Sequence, residues 1–143
     1  MTSPDLVALA AATLHARRDP ERVLEVGCEE GERTLFLARA FPRASVRGVD
    51  PSPEAIRAAT RRVGLDPEGR IAFKVGKASS LPFPDQQFDL VVHRGGASAE
   101  IARVLRPRGE LIAFTDRRLG KHGFQAIQSG GAGGGAYIVA RLR

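Results

Sequence analysis

Apolar positions recur along the chain with two spacings, and the alternation between them predicts its elements. Leu6, Leu9, Ala10, Thr13 and Leu14 fall at helical intervals behind Ser3, a capping residue, and Pro4, a first-turn proline. Arg17 and Arg18 are expected at the carboxyl end of that helix, where cations suit the dipole. Arg22-Val23-Leu24-Glu25-Val26-Gly27 reads as a short buried strand ending in a glycine turn, and Gly31 to Phe41 returns to helical periodicity through Leu35, Ala38 and Phe41. Ser45 to Val49 is a second strand. Ser52-Pro53-Glu54 starts a helix whose buried face is Ile56, Ala59 and Val63, with Gly64 as its terminal cap.

Arg70 to Val75 and Phe88 to Val92 are predicted as strands three and four, and Ser98 to Leu105 as a helix closed by the turn Pro107-Arg108-Gly109. Glu110 to Thr115 is the fifth strand. Gly123 to Gln128 and Ala136 to Leu142 form a final pair around the run Ser129-Gly130-Gly131-Ala132-Gly133-Gly134-Gly135, whose glycine content predicts a mobile loop. Strand–helix alternation of this kind implies an α/β protein with a mostly parallel sheet, helices on both faces and an antiparallel hairpin at one edge. The 143 residues are expected to form one domain: a helix and linker over 1–21, a core over 22–115 and the hairpin over 116–143.

Composition narrows the class. Hydrophobic content of 43% with 27% charged residues is that of a folded globular protein. Cys28, the one cysteine, rules out an internal disulfide and a cysteine zinc site. Met1-Thr2-Ser3-Pro4-Asp5 lacks the basic start of a signal peptide, and no apolar run has the length of a membrane helix, so a cytoplasmic protein without membrane partners is expected. The net charge of +6 is uneven: residues 1–105 hold 15 basic and 14 acidic groups, and residues 106–143 hold 7 and 2. Such a basic end reads either as a solvated surface or as a footprint for nucleic acid, with Arg106, Arg108, Arg117 and Arg118 as the phosphate contacts.

Four segments carry candidate chemistry. In Glu25-Val26-Gly27-Cys28-Glu29-Glu30-Gly31 the glycines either admit a ligand to the backbone or tighten the strand-to-helix packing. The spacing is not that of a dinucleotide fingerprint, and no P-loop lysine follows. Asp50 lies 23 residues after Gly27 (50 − 27), at the end of the second strand. An acid there can accept hydrogen bonds from both hydroxyls of a ribose, or serve as a turn residue ahead of Pro51 and Ser52. The third segment runs from Gly76-Lys77-Ala78-Ser79-Ser80-Leu81-Pro82-Phe83-Pro84-Asp85 into Phe88-Asp89, and the fourth is Glu100 to Gly109.

Taken in this order, the segments resemble the class I S-adenosylmethionine-dependent methyltransferases, particularly the small-molecule, type 11-like members with a Gly-Asp-Ala-x-x-Leu-Pro-Phe-Pro-Asp stretch. The resemblance covers roughly Arg22 to Thr115 and the final hairpin. It implies a Rossmann-like, doubly wound sheet of seven strands whose last is antiparallel, with S-adenosylmethionine as cofactor. Glu25, Gly27, Cys28 and Gly31 would then hold the methionine end, Asp50 and Pro51 the ribose, and Lys77, Ala78 and Ser79 the adenine.

The chain departs from that family pattern at three places. Glu29 stands where the family usually has a central glycine, and Lys77 replaces an aspartate that accepts from the adenine amino group. Only the seven residues 93–99 separate Val92 from Glu100, which leaves little substrate lid and favours a large methyl acceptor or a pocket completed by a homodimer. His93, just past the fourth strand, is the candidate general base, its alternative being a loop histidine without catalytic duty. The acceptor itself is unspecified. A protein of another class, one that keeps the fold as a binding partner or scaffold, is the second reading of these departures.

Overall fold

The computed structural model describes residues 4–115, 119–120 and 122–143. β1 (Arg22–Val26) opens on the exposed Arg22 and is buried from Val23 onward, apolar there except for Glu25, as suits a central parallel strand. It follows α1 (Pro4–Thr13) and precedes α2 (Glu32–Ala40), β2 (Ser45–Asp50), α3 (Pro53–Val63) and β3 (Ile71–Val75). The chain continues through β4 (Phe88–His93), α4 (Ala99–Val104), β5 (Leu105–Ala113), β6 (Phe124–Ala132) and β7 (Gly135–Leu142).

The seven described strands form one sheet in the order β3-β2-β1-β4-β5-β7-β6. β1 to β5 are parallel, and β7 runs antiparallel to both β5 and β6. From β1 the chain steps outward to β2 and β3, then returns to place β4 on the other side of β1. The switch point therefore lies between β1 and β4, and ligands of open α/β sheets bind at the carboxyl ends of the strands there. Register aligns those ends: Val26 pairs with Val49 on one side and with His93 on the other, and Asp50 pairs with Val75.

Each face of the sheet has its own core. Leu9 and Ala12 of α1 and Leu37 and Ala38 of α2 pack on Val23, Val46, Leu90, Val92 and Val139. Ile101 and Val104 of α4 pack on Leu24, Val26, Val91 and Leu111. Complete burial of each Leu or Ile contributes about 1.5–3 kcal/mol. Ser52 caps α3 by accepting the Ala55 N–H at 3.1 Å, and Ser98 caps α4 from the Ile101 N–H at 3.1 Å.

Local reading and structure part company at three places. α1 ends at Thr13, with no basic residue in its last turn, so Arg17 and Arg18 lie beyond it; the Ser3 cap lies outside the described residues. The Pro107–Gly109 turn does not separate helix from strand. β5 starts at Leu105, paired with Phe88, and the next pair is Leu90 with Glu110, so the turn bulges out of a continuous strand. The glycine run is not a loop either. Ser129 to Ala132 pair with Ile138 to Gly135, and only Gly133 and Gly134, at φ 61° and 87°, make the turn. No described helix is long and apolar enough to cross a membrane.

Candidate functional site

The turn after β1 is folded over the end of β2. The Val49 carbonyl accepts the N–H groups of Gly27 at 2.8 Å and Cys28 at 3.0 Å, and Gly31 N–H closes the turn on the Cys28 carbonyl at 2.9 Å. Both glycines are left-handed, but they answer different demands. A Cβ at Gly27 (φ 80°) would meet nothing within 4 Å, so the backbone lies open to a ligand. A Cβ at Gly31 (φ 88°) would stand 3.0 Å from the Phe73 ring and 3.1 Å from Ala59, so this position serves close packing.

Asp50 ends β2 and is 92% withdrawn from solvent (8% exposed). Its Oδ2 accepts the Glu29 N–H at 3.0 Å, its Oδ1 accepts the Ser52 N–H at 3.0 Å, and its carbonyl accepts from Gly76 N–H at 3.1 Å. One residue thus joins the β1 turn, the cap of α3 and the end of β3. Two lone-pair positions of the carboxylate remain for other donors. Pro51 follows it, exposed.

Glu25 lies beneath the turn rather than in it. Its Oε2 is gripped by Arg33 Nε and its Oε1 accepts Thr34 Oγ1 at 2.6 Å, both from α2. Arg33 also donates to the Gly27 carbonyl at 2.9 Å, so the buried ion pair fixes the turn from below. Burial pushes the Glu25 carboxyl up, against the pull of Arg33 and Thr34. Cys28 is buried, and desolvation pushes its thiol up to about 12, which suits a packing residue.

Lys77, Ala78 and Ser79 sit in an exposed turn after β3, closed by Ser80 N–H on the Lys77 carbonyl at 3.1 Å. The following Leu81–Asp85 stretch is pinned by Arg103 of α4. That guanidinium donates to the carbonyls of Leu81 and Phe83 and to Asp85, and it holds Glu100 at 2.7 Å. Glu100 in turn accepts the Leu81 N–H at 2.7 Å.

His93 ends β4, half-buried beside Val26. Its Nδ1 is 2.9 Å from the Gly96 carbonyl, which can only accept, so Nδ1 is the donor of that bond. Gly95 permits this fold-back, since a Cβ there would meet the imidazole at 2.8 Å.

Gly27, Cys28, Asp50 and His93 therefore converge on the carboxyl edge, Lys77 to Ser79 lie one strand further out, and Glu25 supports from below. Sequence reasoning missed the partners. Glu29, left-handed at φ 52°, reaches across the switch point to Arg94, which follows His93, at 3.2 Å. A cavity of about 400 Å³ opens on the α2–α3 side, lined by Cys28, Glu29, Asp50, Ser52 and Arg62 among others. Its lining holds Glu29, Glu30, Glu32 and Asp50 against Arg33 and Arg62, and it does not extend to Lys77 or His93. No group of three or more described His, Cys, Asp or Glu residues is placed to hold a metal ion.

Comparison with known proteins places this geometry. Residues 23–109 match the methyltransferase domain family. A fatty-acid O-methyltransferase of Mycolicibacterium smegmatis is 37% identical over 107 residues, covering 68% of this chain and 38% of that protein. A demethylmenaquinone methyltransferase of Symbiobacterium thermophilum is 38% identical over 108 residues, 68% of this chain and 43% of its own. The crystal structure of an S-adenosylmethionine-dependent methyltransferase from Aquifex aeolicus shares the fold with a TM-score of 0.76 at 14% identity, over 97% of this chain and 92% of that one. The chain spans about four tenths of the length of these two curated relatives. With a family match across β1 to β5 and the sheet order to go with it, the chain belongs to the methyltransferase domain family.

Proposed function

We propose that this chain binds S-adenosylmethionine at the carboxyl edge of β3-β2-β1-β4 and serves a methyl transfer to an acceptor that the site leaves open. The observation that carries the reading is the Asp50 carboxylate. It is locked beside the Gly27 turn by two backbone N–H groups and keeps acceptor capacity for a ribose diol, with Pro51 beside it. Gly27 offers open backbone to the methionine end, with Glu25 holding the turn and Cys28 and Gly31 packing it. The Lys77 ammonium has donors only; it suits the adenine ring nitrogens and leaves the amino group to the Ser79 hydroxyl or the carbonyls of this turn.

When bound, S-adenosylmethionine supplies an electrophilic methyl on a sulfonium, attacked in line by the acceptor. The chain's own contribution is then positioning, which can supply much of the rate enhancement of a two-reactant step. The acidic cavity lining favours a cationic ligand nearby. His93, with Nδ1 engaged by the Gly96 carbonyl, is the residue to take a proton at Nε2 where the acceptor must lose one.

The second reading, a fold kept for partner binding without catalysis, is favoured by Lys77 and by α4 starting at Ala99, so close behind β4. Equilibrium binding of labelled S-adenosylmethionine to purified, folded protein separates the two: micromolar affinity supports the enzyme, and no binding at millimolar ligand supports the scaffold. Nucleic acid gains little from the basic end. Of the four arginines expected to contact phosphates, Arg106 is tied to Asp89 at 2.9 Å, Arg108 is exposed, and Arg117 and Arg118 lie outside the described residues.

A further inference from the structure

The Glu29–Arg94 pair is the only described ion pair that spans the β1 and β4 loops, and it does so at the switch point, where a ligand of this fold enters. Three observations bear on what it does there. Glu29 holds its carboxylate there from a left-handed backbone (φ 52°), a conformation uncommon for a residue with a Cβ and one that its N–H bond to Asp50 sustains. The two side chains remain 58% and 50% exposed, so the pair is wet and weakly held. And Gly27, two residues before Glu29, leaves open space over its backbone, so a ligand head can reach the pair.

We infer that this pair is a zwitterion clasp, opened by the α-amino-acid head of the ligand. The ligand's ammonium takes the place of Arg94 on the Glu29 carboxylate, and its carboxylate takes the place of Glu29 on the Arg94 guanidinium. The Glu29–Arg94 contact is exchanged for one contact of each residue with the ligand, whose zwitterionic head adds no net charge to the crevice, and guanidinium–carboxylate pairing supplies the directional half. The carboxylate of Glu29, which by itself would repel the ligand's carboxylate, becomes the site for its ammonium. This assignment rests on the nucleoside site proposed above and adds to it a selection against nucleosides that lack the amino-acid head.

The test compares two ligands with the same nucleoside and sulfur: S-adenosylhomocysteine, which carries the amino-acid head, and 5′-methylthioadenosine, which does not. Calorimetry on the wild type should show the first binding at least about tenfold more tightly. In Glu29→Gln and in Arg94→Gln that preference should shrink to within about threefold, while methylthioadenosine affinity stays the same and the circular dichroism is unchanged. Glu29→Asp and Arg94→Lys, which keep the charges, should restore part of the preference. An unchanged preference in both glutamine variants overturns the clasp, as does a Glu29→Gln variant that binds S-adenosylhomocysteine more tightly, which would make Glu29 an obstacle. Methylthioadenosine binding without S-adenosylhomocysteine binding in the wild type defeats the clasp alone. If neither ligand binds, the nucleoside site and the clasp fall together.

Discussion

The Asp50 carboxylate accepts the backbone N–H of Glu29 at 3.0 Å, joining the end of β2 to the turn after β1. With the Ser52 N–H on its other oxygen, Asp50 is a structural joint before it is a ligand group. Asp50→Ala leaves two part-buried backbone donors without a charged acceptor and should lower unfolding stability by about 1–2 kcal/mol, read from urea denaturation. Stability equal to wild type would mean that the turn is held by other bonds.

Arg33 fixes the same turn from below through its buried pair with Glu25. Arg33→Met strands a buried carboxylate and should cost about 3 kcal/mol or more. Because the folded Glu25 carboxyl is already raised by burial, removing its cation raises it further. The folded variant then binds a proton more readily than the unfolded chain. Its deficit should shrink as pH falls from about 7 to about 5, since a group raised in the folded state stabilises below its pKa and loses that contribution above it. A deficit that grows with acid in this range would contradict the assignment.

Some of this was legible locally and some was not. Ser52-Pro53 announces its helix because a cap is decided within four residues, and Ser52 caps as the sequence suggests; Ser98, read as the first residue of its helix, is the cap of α4 instead. Arg17 and Arg18 were misplaced because nothing nearby says where α1 stops; the Thr13 hydroxyl turns back to the Ala10 carbonyl and the chain leaves the helix. The glycine run reads as mobile on composition, but its order comes from distant partners: β7 pairs along it, and Val7 of α1 sits where a Cβ at Gly133 would be, 2.7 Å away. At the site, the glycine turn and Asp50 stand out by type and spacing. Glu29 with Arg94, and Arg103 with Asp85, are pairings across loops that only the topology brings together.

Gly31 packs against Phe73 and Ala59 from a left-handed backbone. Gly31→Ala meets both strain and contact, and should destabilise the chain by about 1–3 kcal/mol in thermal or urea unfolding. Gly27→Ala carries the backbone strain with no contact, so it should cost less stability than Gly31→Ala. The reverse ranking would show that the open side of Gly27 is filled.

Cys28 is buried, and its thiol is pushed up to about 12 by desolvation and the nearby acids Glu25 and Asp50. At pH 8 the thiolate fraction is on the order of 1 in 10,000, so a disulfide reagent should label the native protein far more slowly than the urea-unfolded one. Equal rates would mean that the turn opens readily.

Glu100 is held below the usual carboxylate range, chiefly by the Arg103 hydrogen bond and then by the Leu81 N–H. An acid lowered in the folded state stabilises above its unfolded pKa and loses that contribution as pH falls through the folded value. The protection factors of the Leu81 to Asp85 amides should therefore fall on acidification below about pH 4 more in wild type than in Arg103→Ala, where the loop is already loosened. Identical acid responses would remove Arg103 as the clamp.

The affinity of S-adenosylhomocysteine for wild type and for Asp50→Asn, measured by calorimetry on protein shown to be folded, bears most directly on the nucleoside site. Asparagine keeps the size and one acceptor oxygen but removes the charge that would hold the ribose hydroxyls. Binding should be micromolar in the wild type and weaken by at least about tenfold in the variant. Equal affinities, or no heat from the wild type at millimolar ligand, would contradict it.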